Sequence, residues 1–146
     1  MLLIKHYIAS SPIHGLGVFA AEFAQRGQLV WSFHPLIDRE IPSDALASLP
    51  AHVAHMIRRH ADFLAHRDCF RLAADGDFFM NHSRDASLRD GGDAMFAARD
   101  IHPGDELTCD YREIRVLAFE DEIALSDRSN TQTQDAAWPS PSSSLR

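Results

Sequence analysis

Short apolar segments bounded by turn residues recur along most of this 146-residue chain. Glycine, proline and aspartate separate them, as at Asp75-Gly76 and Pro103-Gly104. Alternating or β-branched apolar residues over such short stretches predict strands. The segments that fit are 3–9, 16–20, 28–33, 69–73, 77–80, 94–98 and 106–111. A chain built in this way is expected to form small sheets joined by tight turns.

Residues 43–66 follow a different periodicity. Their larger side chains recur at intervals of three and four residues, which places them on one face of a helix. The stripe consists of Val53, Met56, Ile57, His60, Phe63 and Leu64. Pro50 interrupts the pattern, so we expect a short helical turn and then a longer helix. The predicted fold class is therefore α+β, mostly β, with one helical insert.

One domain is expected to account for residues 1–125. This length is typical of a single domain, and the chain's 45% of hydrophobic residues permits a sizeable core. Residues 126–146 are instead rich in Ser, Thr, Asn, Gln, Asp and Pro, with one large aromatic residue, Trp138. A segment this polar buries too little surface to order itself, so we expect a flexible tail.

The chain is acidic, with a formal net charge of −7 from 21 acidic and 14 basic residues. This balance argues against a nucleic-acid-binding surface, which needs clustered Lys and Arg. It suits a basic partner, such as a Lys/Arg-rich peptide, through complementary fields. The alternative, that the acidity only keeps the protein soluble, stays open on charge alone.

Cysteine and histidine show no metal-binding pattern. Cys69 and Cys109 are the two cysteines and lie far apart, and no HExxH occurs. We therefore expect no metal, two buried free thiols and a reducing, cytoplasmic location. The N-terminal residues lack a signal-peptide run, and no stretch reaches membrane-spanning length, so we expect no membrane association.

Two glycines flank a leucine in Gly15-Leu16-Gly17. Glycine allows the backbone to approach a ligand closely, although such a pair is also typical of a turn between strands. The third glycine and following helix of a dinucleotide-binding fingerprint are missing, so that class of site is excluded.

The polar triplet Asn81-His82-Ser83 follows the apolar run Phe78-Phe79-Met80. Polar groups placed directly after a buried segment must find partners. An amide and an imidazole suit the recognition of an adenine and an amine without adding a competing nucleophile. A turn that hydrogen-bonds its own backbone is the alternative interpretation.

Tyr111 lies at the end of the last predicted strand. A phenol with an ordinary pKa of about 10 stays neutral and can orient reacting groups by hydrogen bonding. A core tyrosine with a satisfied hydroxyl is the commoner alternative.

Three stretches in this order resemble the motifs of the SET domain family: 11–20, 79–83 and 98–111. The resemblance is closest to minimal bacterial and viral members without zinc-binding flanks. It implies a β-clip-like fold of small curved sheets with a knot-like C-terminal crossing. In that fold the Asn81 and Tyr111 segments lie side by side, and residues 43–66 form an insert beside the substrate groove.

The resemblance also implies an activity: transfer of a methyl group from S-adenosylmethionine to a lysine of a protein or peptide substrate. Gly15, Leu16 and Gly17 would meet the methionine part of the cofactor. Asn81 and His82 would bind the cofactor as well. Tyr111 would be the catalytic residue and a further cofactor contact. Minimal members can dimerise, so a homodimer is also expected.

The chain departs from the family pattern at several positions. Residues 84–87 read Arg-Asp-Ala-Ser instead of Cys-x-Pro-Asn, and Phe78 stands where the family often has arginine. No cysteine-rich segment follows the domain, and Trp138 is our candidate to stack on the adenine instead. These departures motivate a second hypothesis, in which the chain is an inactive SET-like binding or dimerisation module.

Overall fold

The structure, a computed structural model, describes the backbone of residues 1–134 and the side chains of residues 1–125. The predicted adenine-stacking residue, Trp138, lies outside the described residues. The strands are β1 His6–Ser10, β2 Leu16–Ala20, β3 Leu29–Ser32, β4 Arg39–Pro42, β5 Asp62–Leu64, β6 Cys69–Leu72, β7 Asn81–His82, β8 Leu88–Asp90, β9 Ala94–Ala97 and β10 Glu106–Cys109. The helices are α1 Ala51–His60 and α2 Leu117–Gln134, with short 3₁₀ helices at Ser43–Ser48 and Gly76–Phe79.

The strands form small sheets, as the sequence predicts. One sheet has the order β1-β2-β10-β7, a second β3-β9-β8 and a third β4-β6-β5. Neighbouring strands are antiparallel except β7 and β10, which pair in parallel. The predicted class, α+β and mostly β with small sheets and a helical insert, is confirmed.

The main core lies between the first two sheets. Its fully buried side chains include Trp31, Leu88, Met95, Ile101, Leu107 and Val18. A second cluster forms where Ile57 of α1 packs with Ala61 and Phe70. The guanidinium of Arg71 lies 4.8 Å from the Trp31 ring centre, and Arg71 binds Asp62 of β5. The contact between Arg71 and Trp31 links the third sheet to the main core.

The helical insert is shorter than expected, because α1 ends at His60. Phe63 and Leu64 belong to β5 instead, where Phe63 pairs with Phe70 of β6. The predicted strand 77–80 is also wrong, since Gly76–Phe79 forms a 3₁₀ helix. The Asp75 carboxylate caps this helix by accepting a hydrogen bond of 3.2 Å from the Asp77 N–H. An apolar run this short is compatible with a strand or with a 3₁₀ helix, and the Asp75 cap favours the helix.

The helix α2 was not predicted. It begins at Leu117 and runs past residue 125, the expected end of the domain, to Gln134. The remainder of the predicted flexible tail, residues 135–146, lies outside the described residues, so that part of the prediction stays a prediction.

Candidate active site

The parallel pairing of β7 and β10 brings two of the sequence motifs together. Asn81 pairs with Thr108, and His82 with Cys109. Tyr111 follows directly, and its N–H donates a hydrogen bond of 3.2 Å to Nδ1 of His82. The two rings lie 5.4 Å apart. Residues far apart in the chain therefore form one compact unit.

A cavity of about 350 Å³ opens beside this unit. It collects residues from the first motif, the Asn-His motif, Tyr111 and both α-helices. The lining residues are Ile13, His14, Gly15, Leu16, Arg59, His60, Phe78, Phe79, Met80, Asn81, His82, Tyr111, Val116, Ala118, Phe119 and Glu122. Of the predicted site residues, Gly17 is not part of this lining, and Trp138 is outside the described residues.

Gly17 lies behind the cavity, against Glu106. The Glu106 carboxylate accepts hydrogen bonds from the Ser11 hydroxyl at 2.8 and 2.9 Å. Its Oε1 also accepts a hydrogen bond of 2.8 Å from the Asn81 amide. A Cβ on Gly17 would overlap this oxygen. The glycine therefore makes room for the carboxylate that positions Asn81.

The side-chain orientation of Asn81 is fixed by its acceptors. Its amide nitrogen lies 3.1 Å from the carbonyl oxygen of His14 and 3.0 Å from that of Leu16, in addition to the Glu106 contact. The Asn81 residue is only 8% exposed. Within the described part of the chain no group donates to its amide oxygen, which remains available as an acceptor in the cavity wall.

His82 is a neutral imidazole with a defined tautomer. Because Nδ1 accepts the Tyr111 N–H, the ring proton resides on Nε2. Burial lowers the pKa of His82. The neighbouring Asp110 carboxylate is held by Arg112, whose hydrogen bonds lower the pKa of Asp110 to about 2. Asp110 therefore stays ionised near neutral pH.

Tyr111 presents a neutral phenol of fixed orientation. Its hydroxyl donates a hydrogen bond of 2.6 Å to the carbonyl oxygen of Met80, directly before the Asn-His pair. Burial raises the pKa of Tyr111 above its ordinary value. The hydroxyl proton is thus committed, and the oxygen lone pairs remain free to accept from a bound molecule.

The helix α2 closes one side of the cavity. The Phe119 ring lies 4.6 Å from His82 and 5.4 Å from Tyr111. Two ion pairs link α2 to α1, Arg58 with Asp121 at 2.8 Å and Arg59 with Glu122 at 3.0 Å. Trp138, the aromatic residue predicted to stack on the adenine, lies outside the described residues, whereas Phe119 is an aromatic residue that lines the cavity. The apolar run 116–119, shortly after Tyr111, was the signal for Phe119.

The C-terminal end of α1 contributes a second aromatic wall. His60 stacks on Phe78 with ring centres 4.4 Å apart and an angle of 14°. Burial lowers the pKa of His60, so this ring is neutral as well. Phe78 stands where the family often has arginine, and the stack gives this substitution a structural role. Periodicity placed His60 on the helix stripe but could not indicate its partner.

The side chains of residues 1–125 include no group of three arranged to hold a metal ion. Over the described backbone, residues 1–134, neither α-helix has the length and apolar character needed to cross a membrane.

Comparisons with known proteins agree with this geometry. The family model described as SET domain matches residues 15–112. No curated protein sequence matches the chain. A structure titled as apo ctPRC2 with mutations in Ezh2 superimposes with a TM-score of 0.62 at 18% identity, covering 76% of this chain and 15% of that one.

Two further solved structures are similar in fold. A Plasmodium falciparum protein described as a putative histone methyltransferase gives a TM-score of 0.53 at 18% identity, covering 75% of this chain and 95% of that one. Polycomb repressive complex 2 from Chaetomium thermophilum gives 0.56 at 20% identity, covering 74% of this chain and 15% of that one. The chain thus spans only a small part of the polycomb chains. With the family match over most of its length, this chain belongs to the SET domain family.

Proposed function

We propose that the protein is a protein-lysine N-methyltransferase that uses S-adenosylmethionine. The observation that carries the proposal is the single cavity of about 350 Å³ in which residues of all three motifs meet around Tyr111. Family membership supports a methyltransferase, and the chemistry of this cavity supports the cofactor and the lysine.

The cavity fits the cofactor in size and in polarity. Its volume is within the range of small-molecule sites, which start at about 300 Å³. Phe78 and Phe119 offer aromatic surfaces to an adenine. The free amide oxygen of Asn81 suits the cofactor's α-ammonium group. Gly15 has a φ of +49° and nothing within 4 Å of where its Cβ would be, so the backbone there leaves room for a ligand.

The bound cofactor supplies a methyl group already activated by a sulfonium, so the protein has little acid–base chemistry to perform on it. Its residues must hold the donor, align the amine and exclude water. Tyr111 fits this task because it is neutral and its hydroxyl is fixed by Met80. Phe119 and the ion-paired α2 cover one side of the cavity.

We propose a lysine in a basic protein or peptide as the substrate, in the cytoplasm. The net charge of −7 supports a basic partner, and Glu122 adds an acidic group to the cavity wall. The two free, buried cysteines support a reducing compartment. The proposed homodimer rests on the family resemblance, and sedimentation velocity checks it.

The first experiment is calorimetric titration with S-adenosylhomocysteine. We expect binding in the micromolar range, and wild-type protein that shows none at high micromolar ligand would overturn the proposal. The inactive binding module would then be the better description.

The second experiment measures methyl transfer from radiolabelled cofactor to core histones and poly-lysine. We expect Tyr111→Phe to lower turnover about 100-fold or more, in line with positioned proton-bearing groups, while S-adenosylhomocysteine still binds. Tyr7→Phe is the matched control, since Tyr7 is exposed on β1, away from the cavity. Equal turnover of Tyr111→Phe and wild type would show that the Tyr111 hydroxyl has no role in the reaction.

A further inference from the structure

A second, much smaller cavity adjoins the main one. Six residues line both cavities: Arg59, His60, Phe78, Met80, Tyr111 and Val116. The small cavity has a volume of about 20 Å³, which admits one water-sized group. Its position places it directly behind the tyrosine of the candidate site, and an ammonium group has the size of a water molecule.

Two carboxyl groups line the small cavity. Asp62, at the start of β5, is bound by the Arg71 guanidinium at 2.7 and 3.0 Å. Asp77, in the 3₁₀ helix before the Asn-His motif, is half-buried, and no side chain of residues 1–125 donates a hydrogen bond to its carboxylate. A carboxylate that lines so small a cavity is partly removed from water, so its ionised form is disfavoured unless a cation comes near it.

We propose that Asp77 accepts the proton that the substrate's lysine ammonium must lose before methyl transfer. This inference rests on the proposed function. The ammonium nitrogen would occupy the small cavity, next to Tyr111. One N–H bond breaks, its electron pair stays on nitrogen, and the proton forms an O–H bond with Asp77. The neutral amine then has a lone pair for the methyl group, and Asp77 later returns its proton to solvent.

The electrostatic environment of Asp77 suits this role. Burial, with the nearby charges of Asp62 and Asp75, raises the pKa of Asp77 to about 8. That is much nearer to the lysine value of about 10.4 than an ordinary aspartate at about 3.9. The other titratable or charged groups around the cavity are Arg59 and His60 from α1, Cys109 and Tyr111 from the β10 end, and more distantly Asp38 and the N-terminal ammonium.

The other polar groups of the cavity are less suitable. Arg71 neutralises the Asp62 carboxylate through two hydrogen bonds. The Tyr111 hydroxyl donates its hydrogen bond to the Met80 carbonyl, and its phenol oxygen is too weak a base to take a proton from an ammonium group. Burial raises the pKa of Asp62 to about 6 even with Arg71 bound, which is still below that of Asp77. Asp77 is therefore the carboxyl group of this cavity that no guanidinium binds and whose pKa lies nearer to that of lysine.

The test is a ¹³C NMR titration of the aspartate carboxyl carbons against pH, with and without n-butylammonium as a probe of the lysine side chain. Asp77→Asn assigns the signal, and Asp44→Asn, at an exposed position without a hydrogen bond to its side chain, is the matched control. We expect a titration near pH 8 that is lost only in Asp77→Asn. A cation beside the carboxylate should lower this pKa, so saturating n-butylammonium is expected to shift it down by about one unit.

An Asp77 signal that n-butylammonium does not shift would overturn the inference, whatever the cofactor binding shows. Binding of S-adenosylhomocysteine is measured separately. If the protein did not bind it, the proposed function would be contradicted instead. On any peptide that the wild type methylates, Asp77→Asn should lower kcat about 100-fold and remove the rise in rate near pH 8. An unchanged kcat and pH profile would also overturn the inference.

Discussion

Gly17 and Glu106 are packed so closely that the glycine has no space for a Cβ atom. The two residues lie on neighbouring strands of the first sheet: Glu106 of β10 is in register with Phe19, and Gly17 stands two residues before Phe19 on β2. The carboxylate that occupies this space also binds Asn81 and Ser11. The conformation of the Asn-His motif therefore depends on a glycine that does not itself line the cavity.

Gly17→Ala is expected to destabilise the protein by about 1–3 kcal/mol, the usual cost of overpacking a filled site. The reason is that Glu106 must move and release Asn81. Urea denaturation measures the change. In a Glu106→Ala background the same substitution should cost less, because the obstructing carboxylate is gone. Additive costs would show that the two residues do not compete for this space.

Phe119→Ala is expected to weaken binding of S-adenosylhomocysteine about tenfold, or about 1.4 kcal/mol. The substitution removes the aromatic wall that α2 places 4.6 Å from His82. Calorimetric titration measures the affinity. Phe23→Ala is the control, because Phe23 is 49% exposed and does not line the cavity. The same loss in both variants would argue against a specific role for Phe119.

The protonation of Asp77 predicts a pH dependence of stability. The folded protein holds this proton up to about pH 8, whereas an unfolded aspartate loses it near 3.9. Between these values the folded state binds more protons, so the contribution of Asp77 to stability is complete below pH 3.9 and is lost as the pH rises through 8. From pH 5 to 7, the stability of wild type relative to Asp77→Asn should fall by about 1.4 kcal/mol per pH unit.

Denaturation curves at several pH values measure this difference, and other titrating groups, such as His60 and His82, contribute to both proteins alike. Asp110→Asn is the control. The pKa of Asp110 is lowered to about 2 by Arg112, so its stabilising effect is lost only as the pH falls toward 2. Its difference from wild type should therefore change by much less than 1.4 kcal/mol per pH unit from pH 5 to 7, since only the effect of Asp110 on the pKa of His82 enters there. A flat difference for Asp77→Asn would contradict the prediction.

Arg71→Gln is expected to cost about 3–5 kcal/mol, because it leaves Asp62 without its partner in a buried site. The Arg71 side chain is only 2% exposed and also binds Asp93 at 2.9 Å. Arg58→Gln provides the contrast: its pair with Asp121 joins two exposed side chains, and its loss should cost less than about 1 kcal/mol. Chemical denaturation compares the two variants, and similar costs would refute this ranking.

Local patterns in the sequence predicted much of this structure. The strand at 16–20 was placed correctly to the residue, and the apolar stripe around Ile57 identified α1. The motifs around Gly15, Asn81 and Tyr111 indicated three segments that line the candidate cavity. These features depend on neighbouring residues, whose side-chain periodicity and turn chemistry are visible in the chain itself.

Tertiary structure alone decided how those segments work together. It set Glu106 against Gly17, brought Phe119 to the described cavity wall, and placed Asp77 behind Tyr111. In each case the two residues lie apart in the chain, and the sequence does not show that they are close in the folded protein. The reason is physical: periodicity shows which face of an element is buried, whereas the partner of that face depends on how distant strands and helices pack.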